Sequence, residues 1–369
     1  MDTSARLDCR FYIGDRPCEW GGPCKGCSHY SAMGTRLLIV KLAAAGDVLR
    51  TAAVLPPLKR RHPESYIVWV TDPIAVPFLE HNPFIDRVMP FGFASHVELA
   101  AQRFDEVICL DKEPRAAAFA ATLTAERRLG YGLTKWGTVS PVDEGARYDF
   151  ELGLSNERKF HENTRSAPDI YCEAAGVRYE GEPYLLVLPE DSVAYARGFL
   201  SELDLREPLV GLNVGAGGVF ANKAWTPERY AELAKQVSAE LGGVCVALGG
   251  PDDRDRMSRV VELAGGAALD GGTHSLLDFA AILAHMDAVV TGDTMALHVA
   301  VAVGVPVVAL FGPTVAQEIE VFGRGRKLVS PAECAPCYLR ACDRSPSCMD
   351  QLPVNTVMDA LREVLTEDA

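Results

Sequence analysis

An α/β chain of two Rossmann-like domains facing a cleft is predicted by three observations. Short apolar runs alternate with helical segments, the alternation restarts near Leu209 after a mixed polar stretch, and each half carries a Gly- or Asp-bearing turn directly after a buried strand. A length of 369 residues agrees, because a domain usually takes ~100–200.

Taken in order, residues 1–35 read as a Cys-rich leader, 36–190 as a first Rossmann-like domain, and 191–369 as a second Rossmann-like domain with a Cys-rich tail. Residues 36–42 (RLLIVKL) read as a strand, and AAAGD leads into a helix from about Asp47. Pro56 and Pro57 are expected to kink or shorten that helix, and His62-Pro63 closes it before the next strand at 66–70. Further strands are expected at 87–89 and 106–110. Residues 145–168 lack an apolar period and read as an irregular loop region. A helix over 169–175 follows, with Asp169 as its cap. A hinge within 188–206 separates the halves. The second half then opens with VGLNVGAG, a strand entering a Gly-rich turn, followed by strands at 243–248 and 288–291.

The segment 291–314, TGDTMALHVAVAVGVPVVALFGPT, reads as turn, helix and buried strand. Asp293 occupies the N-cap position, Gly304 the stop and Pro306 the position just beyond. Unpartnered amides and the positive dipole end at a helix start accept phosphate oxygens, so an anion site and an ordinary capped crossover helix are both open here.

Composition narrows the classes. The 48% hydrophobic content supports sizeable cores, and the longest apolar run, near 299–311, falls short of the roughly 20 residues of a membrane span. The first residues lack the apolar core of a signal peptide, which implies a cytoplasmic location. A net charge of −14 argues against nucleic acid as a partner. Lys59, Arg60 and Arg61 form a basic patch, read first as a solvated helix end and second as a contact for acidic lipid headgroups at the inner membrane.

Eight of the eleven cysteines fall into two groups, each with one C-x-x-C pair. Cys9, Cys18, Cys24 and Cys27 precede the first core strand; Cys334, Cys337, Cys342 and Cys348 follow the last. This spacing suggests metal in preference to disulfides: two structural zinc sites, iron sites, or one shared site. Cys109, Cys172 and Cys245 stand alone and read as small buried hydrophobes.

Several turn residues can carry chemistry. Asp47 lies at the strand-to-helix turn of the first half, where a carboxylate can accept a proton or simply cap the helix. Gly215, Ala216, Gly217 and Gly218 let a ligand approach the backbone, and Lys223 can neutralise phosphate there, or be a solvated lysine. Asp253, after Gly249-Gly250-Pro251-Asp252, can bond ribose hydroxyls or cap a helix. His298, alone on an apolar helix, reads as a satisfied core residue.

The stretches LLIVKLAAAGDVLRT, NKAWTPERY and GDTMALHVAVAVGVPVVALFGPT, with the CAPCYLRAC tail, resemble the bacterial heptosyltransferases of glycosyltransferase family 9 over most of residues 36–365. The resemblance implies a GT-B fold, with 36–190 as the acceptor-side domain and 191–369 as the nucleotide-sugar-binding domain, and inverting transfer of a heptose from ADP-heptose to a lipopolysaccharide core or related surface-glycan acceptor. It implies Asp47 as general base, Lys223 and the amides of Thr294 and Met295 as stabilisers of the departing diphosphate, and hence no catalytic metal. Asp253 would hold the ribose, and Asp293 and His298 would shape the donor pocket. Met295 stands where the family usually has Gly, Asp253 is shorter than the usual Glu, and the Cys-rich leader lies outside the common core. A protein acceptor, as in autotransporter-type heptosyltransferases, some of which resemble this chain in a Cys-bound iron near the C-terminus, is the variant reading. A GT-B nucleotide-sugar epimerase is a rival among enzymes, and an iron-binding redox protein is the rival from another class.

Overall fold

Runs of Val, Ile and Leu bounded by turn residues build two mostly parallel sheets whose central strands are buried on both faces. The structure, a computed structural model, describes residues 5–217 and 221–367. Gly218 of the expected Gly-rich turn lies outside the described residues. The chain divides into two compact units: Met1–Ala43, Ala53–Glu151 and Asp169–Glu182 form the first, and Ala44–Ala52, Leu152–Pro168 and Pro183–Ala369 the second.

In the first unit the strands are β1 (Arg36–Val40), β2 (Tyr66–Thr71), β3 (Arg87–Pro90), β4 (Arg103–Cys109), β5 (Thr124–Leu133) and β6 (Val139–Pro141), ordered β3-β2-β1-β4-β5-β6. All pairs are parallel except β5 with β6. Leu37, Leu38, Ile39 and Trp69 are fully buried at its centre. Strand order reverses between β1 and β4, and just past both strands the buried Lys41 and Asp111 pair at 2.9 Å. The other oxygen of Asp111 accepts from the Leu42 amide at 2.6 Å, which pins the chain as it leaves β1.

The second unit holds β7 (Leu209–Asn213), β8 (Val244–Leu248), β9 (Ala268–Asp270), β10 (Ala288–Gly292), β11 (Val307–Phe311) and β12 (Gly325–Val329), ordered β12-β11-β10-β7-β8-β9, all parallel. Trp225, Tyr230 and Leu233 fill its core with Val357 and Leu361 of the C-terminal helix Val354–Glu367. Here the order reverses between β7 and β10. In an open doubly wound sheet the crevice at such a reversal, beyond the carboxyl ends of the strands, is where ligands bind.

Several local expectations change. Pro56 and Pro57 do not kink a long helix; the chain runs from the Ala45–Thr51 helix through a 3₁₀ turn into a second helix, Leu55–Arg61, whose first turn they occupy without losing a needed N–H. The polar stretch 145–168 is partly helical, with Arg147–Leu152 and a π-turn at Arg158–Glu162. The Asp169 helix begins earlier, at Ala167, so Asp169 is inside its first turn. Residues expected to hold the hinge are mostly a helix, Glu190–Ser201. The basic patch is neutralised within its own unit: Lys59 lies 3.7 Å from Asp86, Arg60 pairs with Glu182, and Arg61 with Glu106. No described helix is long and apolar enough to cross a membrane.

Candidate active site

Asp47, Lys223, Asp253, Asp293 and His298, distant in sequence, all belong to the second unit, because the Ala44–Ala52 segment that carries Asp47 is grouped with it. The site is built around the reversal between β7 and β10.

Strand β10 ends at Gly292, and Asp293 and Thr294 lead into the Met295–Ala302 helix. The N-cap is Thr294, not Asp293 as the spacing suggested, because the Asp293 carboxylate is turned to Lys223. Lys223 Nζ donates to Asp293 Oδ2 at 3.0 Å and to its carbonyl at 3.1 Å. Gly292 makes this approach possible: a β-carbon there would stand 2.6 Å from the Lys223 carbonyl oxygen. Burial, the largest single influence, opposes ionisation of Asp293, but Lys223, His298, the Thr314 hydroxyl and Arg50 together outweigh it and hold the carboxyl below its usual range. The solvated reading of Lys223 thus gives way to one half of an ion pair at a helix start.

On the other side of the reversal, Asn213 closes β7. Its amide donates to Gly215 O at 3.1 Å, Thr291 Oγ1 at 3.0 Å and Thr294 Oγ1 at 3.1 Å, so one side chain ties the Gly-rich turn to the helix start. Asp253 Oδ2 accepts from the Gly250 amide at 3.0 Å, turning back toward the strand end instead of capping the helix Arg254–Ala264. Its carboxylate lies against Gly215, where a β-carbon would come within 2.1 Å of Oδ2. Gly217 has φ +68°, the left-handed conformation that favours glycine.

Asp47 lies in the third position of its helix, whose N-cap is Ala44, so the capping role falls away. Arg50 stands 2.7 Å from its Oδ1. This helix packs on the Met295–Ala302 helix at Gly46, where a β-carbon would sit 2.9 Å from His298 Cδ2 and 3.2 Å from Met295 Cα. His298 is buried, with its Nδ1 3.4 Å from the Tyr184 hydroxyl. Burial, with Arg50 adding to it, lowers its pKa to about 4, so it is neutral at physiological pH.

Asn213, Arg50, Gly46, Tyr184 and Arg256 were missed in the sequence. Arg256 bonds the carbonyls of Val214 and Trp225 at 3.1 and 2.6 Å. A polar residue ending an apolar strand signalled Asn213, and the three-residue spacing from Asp47 signalled Arg50.

Cys109, Cys172 and Cys245 are buried, as expected of small hydrophobes. Of the C-terminal group, Cys348 is buried against Gly312, where a β-carbon would come within 2.6 Å of its Sγ. Burial, then the neighbouring Cys337, Cys334 and Cys342, push its thiol up to about 11. The donor chemistry suits zinc or iron, but among the described residues no three His, Cys, Asp or Glu side chains converge to hold an ion, and no chemical step is assigned to one.

The arrangement thus sets a lysine and a helix start beside a Gly-rich turn with an acidic neighbour, and a carboxylate on an adjoining helix. The family model for glycosyltransferase family 9 (heptosyltransferase) matches residues 94–347. The chain is 27% identical over 322 residues to lipopolysaccharide heptosyltransferase 1 of Pseudomonas aeruginosa, covering 85% of this chain and 88% of that one. It is similar in fold to a family 9 glycosyltransferase from Veillonella parvula, with a TM-score of 0.74 and 23% identity over 90% of this chain and 98% of that one. It is also similar to E. coli heptosyltransferase WaaC with ADP, with a TM-score of 0.59 and 20% identity over 89% and 97%. The fold is GT-B, with two Rossmann-like units, and the chain belongs to glycosyltransferase family 9 as a glycosyltransferase.

Proposed function

We propose that this enzyme transfers a heptose from ADP-heptose to a lipopolysaccharide-core acceptor with inversion at the anomeric carbon. The observation that carries the reading is the packing of the Asp47 helix on the Met295–Ala302 helix through Gly46, which sets a carboxylate beside the helix whose start holds Lys223 and Asp293. Asp47 takes the proton of the acceptor hydroxyl as its oxygen bonds to the anomeric carbon, and the bond to the diphosphate breaks. Lys223 and the amides of Thr294 and Met295 balance the charge growing on the departing diphosphate. Asp253, held by the Gly250 amide, takes the ribose hydroxyls, while Gly215 and Gly217 keep the turn low enough for the nucleotide. Asp293 positions Lys223, and the neutral His298 fills the space behind Asp47's helix.

Family membership favours this over the redox-protein reading, and nothing in the site favours a protein acceptor. The finer parts of the reading are a cytoplasmic enzyme that meets a membrane-borne acceptor at the inner membrane, and a structural ion at Cys334, Cys337, Cys342 and Cys348. Lys59, Arg60 and Arg61 each pair with a carboxylate of their own unit, which favours the solvated helix end over a lipid contact at this patch. The test is turnover of ADP-heptose with a lipopolysaccharide-core acceptor, alongside calorimetric binding of ADP, GDP and UDP. Selective ADP binding and acceptor-dependent ADP release support the proposal; turnover with a different nucleotide sugar and none with ADP-heptose overturns it.

A further inference from the structure

The leader poses a folding problem that the transferase does not explain. From residue 5 to residue 35 it holds no helix or strand, only an isolated antiparallel bridge between Cys9 and Ala32. The bonds Arg10 N to Ser31 O at 2.9 Å and Met33 N to Asp8 O at 2.8 Å close its base, and Arg10 anchors it to Asp86 at 2.9 Å. Between these ends Tyr12, Ile13 and Trp20 remain exposed, so the loop has little apolar core with which to offset the entropy of ordering it.

Inside this closed loop, Cys9, Cys18, Cys24 and Cys27 line one cavity of about 110 Å³. Each sulfur is carried on a tight turn. Cys24 and Cys27 are joined by Cys27 N to Cys24 O at 3.3 Å, with Gly26 between them at φ +76°; Cys18 O accepts from Gly21 N at 2.9 Å, and Cys9 O from Tyr12 N at 3.0 Å. A C-x-x-C pair is the usual half of a tetrathiolate site. His29 lines the same cavity but is stacked on Trp20 with ring centroids 4.5 Å apart. Arg6 and Arg16 also line it, placing positive charge beside what would become a dianionic centre.

We infer that the leader is a zinc module in which Cys9, Cys18, Cys24 and Cys27 hold one structural ion as thiolates, separately from the C-terminal cysteines. All residues lining the cavity come from the leader, and the C-terminal sulfurs have one another as neighbours. The four leader sulfurs do not stand at ligand spacing in the structure, so binding draws the turns inward. Each bound thiol releases its proton, and the ion supplies the cross-link that the missing core does not. Nothing in this inference depends on heptose transfer.

The test uses the full chain. Metal content is measured on the wild type and on Cys24→Ser/Cys27→Ser, and native alkylation of each cysteine is followed by peptide mass spectrometry with and without a chelator. The expected result is one zinc fewer per chain in the double variant, with Cys9, Cys18, Cys24 and Cys27 of the wild type protected together and exposed together by the chelator. Unchanged zinc content in the variant, chelator-independent alkylation of the four, or iron with inorganic sulfide lost from the variant would each overturn it. The alkylation pattern is read on the wild type, so a variant that fails to fold leaves the question answerable.

Discussion

Gly46 and His298 are in contact at a distance that admits no side chain on the glycine: a β-carbon would stand 2.9 Å from the imidazole Cδ2. Gly46→Ala must therefore push the helix bearing Asp47 away from the Met295–Ala302 helix or displace His298. Overpacking of this kind costs roughly 1–3 kcal/mol. The expected outcome is a lowered Tm with kcat falling more than ADP affinity; an unchanged Tm and kcat would show that the two helices do not depend on this contact.

Asp47→Asn retains the shape of the side chain and removes its basicity. Turnover should drop about 10²–10⁴-fold, the range for loss of a general base, while ADP binding by calorimetry stays near wild type. Turnover within a few-fold of wild type refutes the assignment.

Lys223 and Asp293 should be separable by a double-mutant cycle. Lys223→Ala leaves a carboxylate that is only 15% exposed without its lysine, at a cost below the ~3–5 kcal/mol of a fully buried pair. Adding Asp293→Asn should recover most of the stability measured by urea denaturation but none of the lost ADP affinity. Recovery of both would make the lysine structural only.

Asp253 and Gly215 should act as one unit. Gly215→Ala, whose new methyl group would meet the Asp253 carboxylate, and Asp253→Ala should each weaken ADP binding by about tenfold, near 1.4 kcal/mol. The double variant should weaken it little further. Fully additive losses would show that the carboxylate does not hold the nucleotide through this arrangement.

The acid limb of stability should carry the signature of His298. Its folded pKa is depressed from 6.5 to about 4, so the unfolded chain binds the extra proton first. Its contribution is complete above pH 6.5 and is lost as pH falls toward about 4, amounting to about 3 kcal/mol. Asp293, also depressed, acts in the same direction. Urea midpoints of His298→Gln should decline less between these pH values than those of the wild type; parallel profiles would contradict the burial of a neutral imidazole.

The α/β class and the restart near Leu209 are legible in the amino-acid order, because buried parallel strands require apolar runs such as LLIV and VVALF, and such runs are local. The amino-acid order also marks the turns where Asp47, Gly215, Lys223, Asp253 and Asp293 lie, since Gly and Asp after a strand signal a turn or a helix start, though not whether the side chain caps the helix or meets a ligand. Strands β5, β6, β9 and β12 were not expected: β5 carries the charged run Glu126–Arg128 and β9 has three residues, and what makes them strands is pairing with a neighbour already in place. The tertiary structure alone decided partners. It turned Asp293 from a cap into the mate of Lys223, 70 residues away, grouped the Asp47 helix with the second unit, and made Asn213 the link between turn and helix. Helix and strand signals report on neighbours a few residues apart. The pairing of charges taken out of water and the close approach of the Gly46 helix to the Met295–Ala302 helix depend on how distant segments pack, and that is settled only when the sheet is assembled.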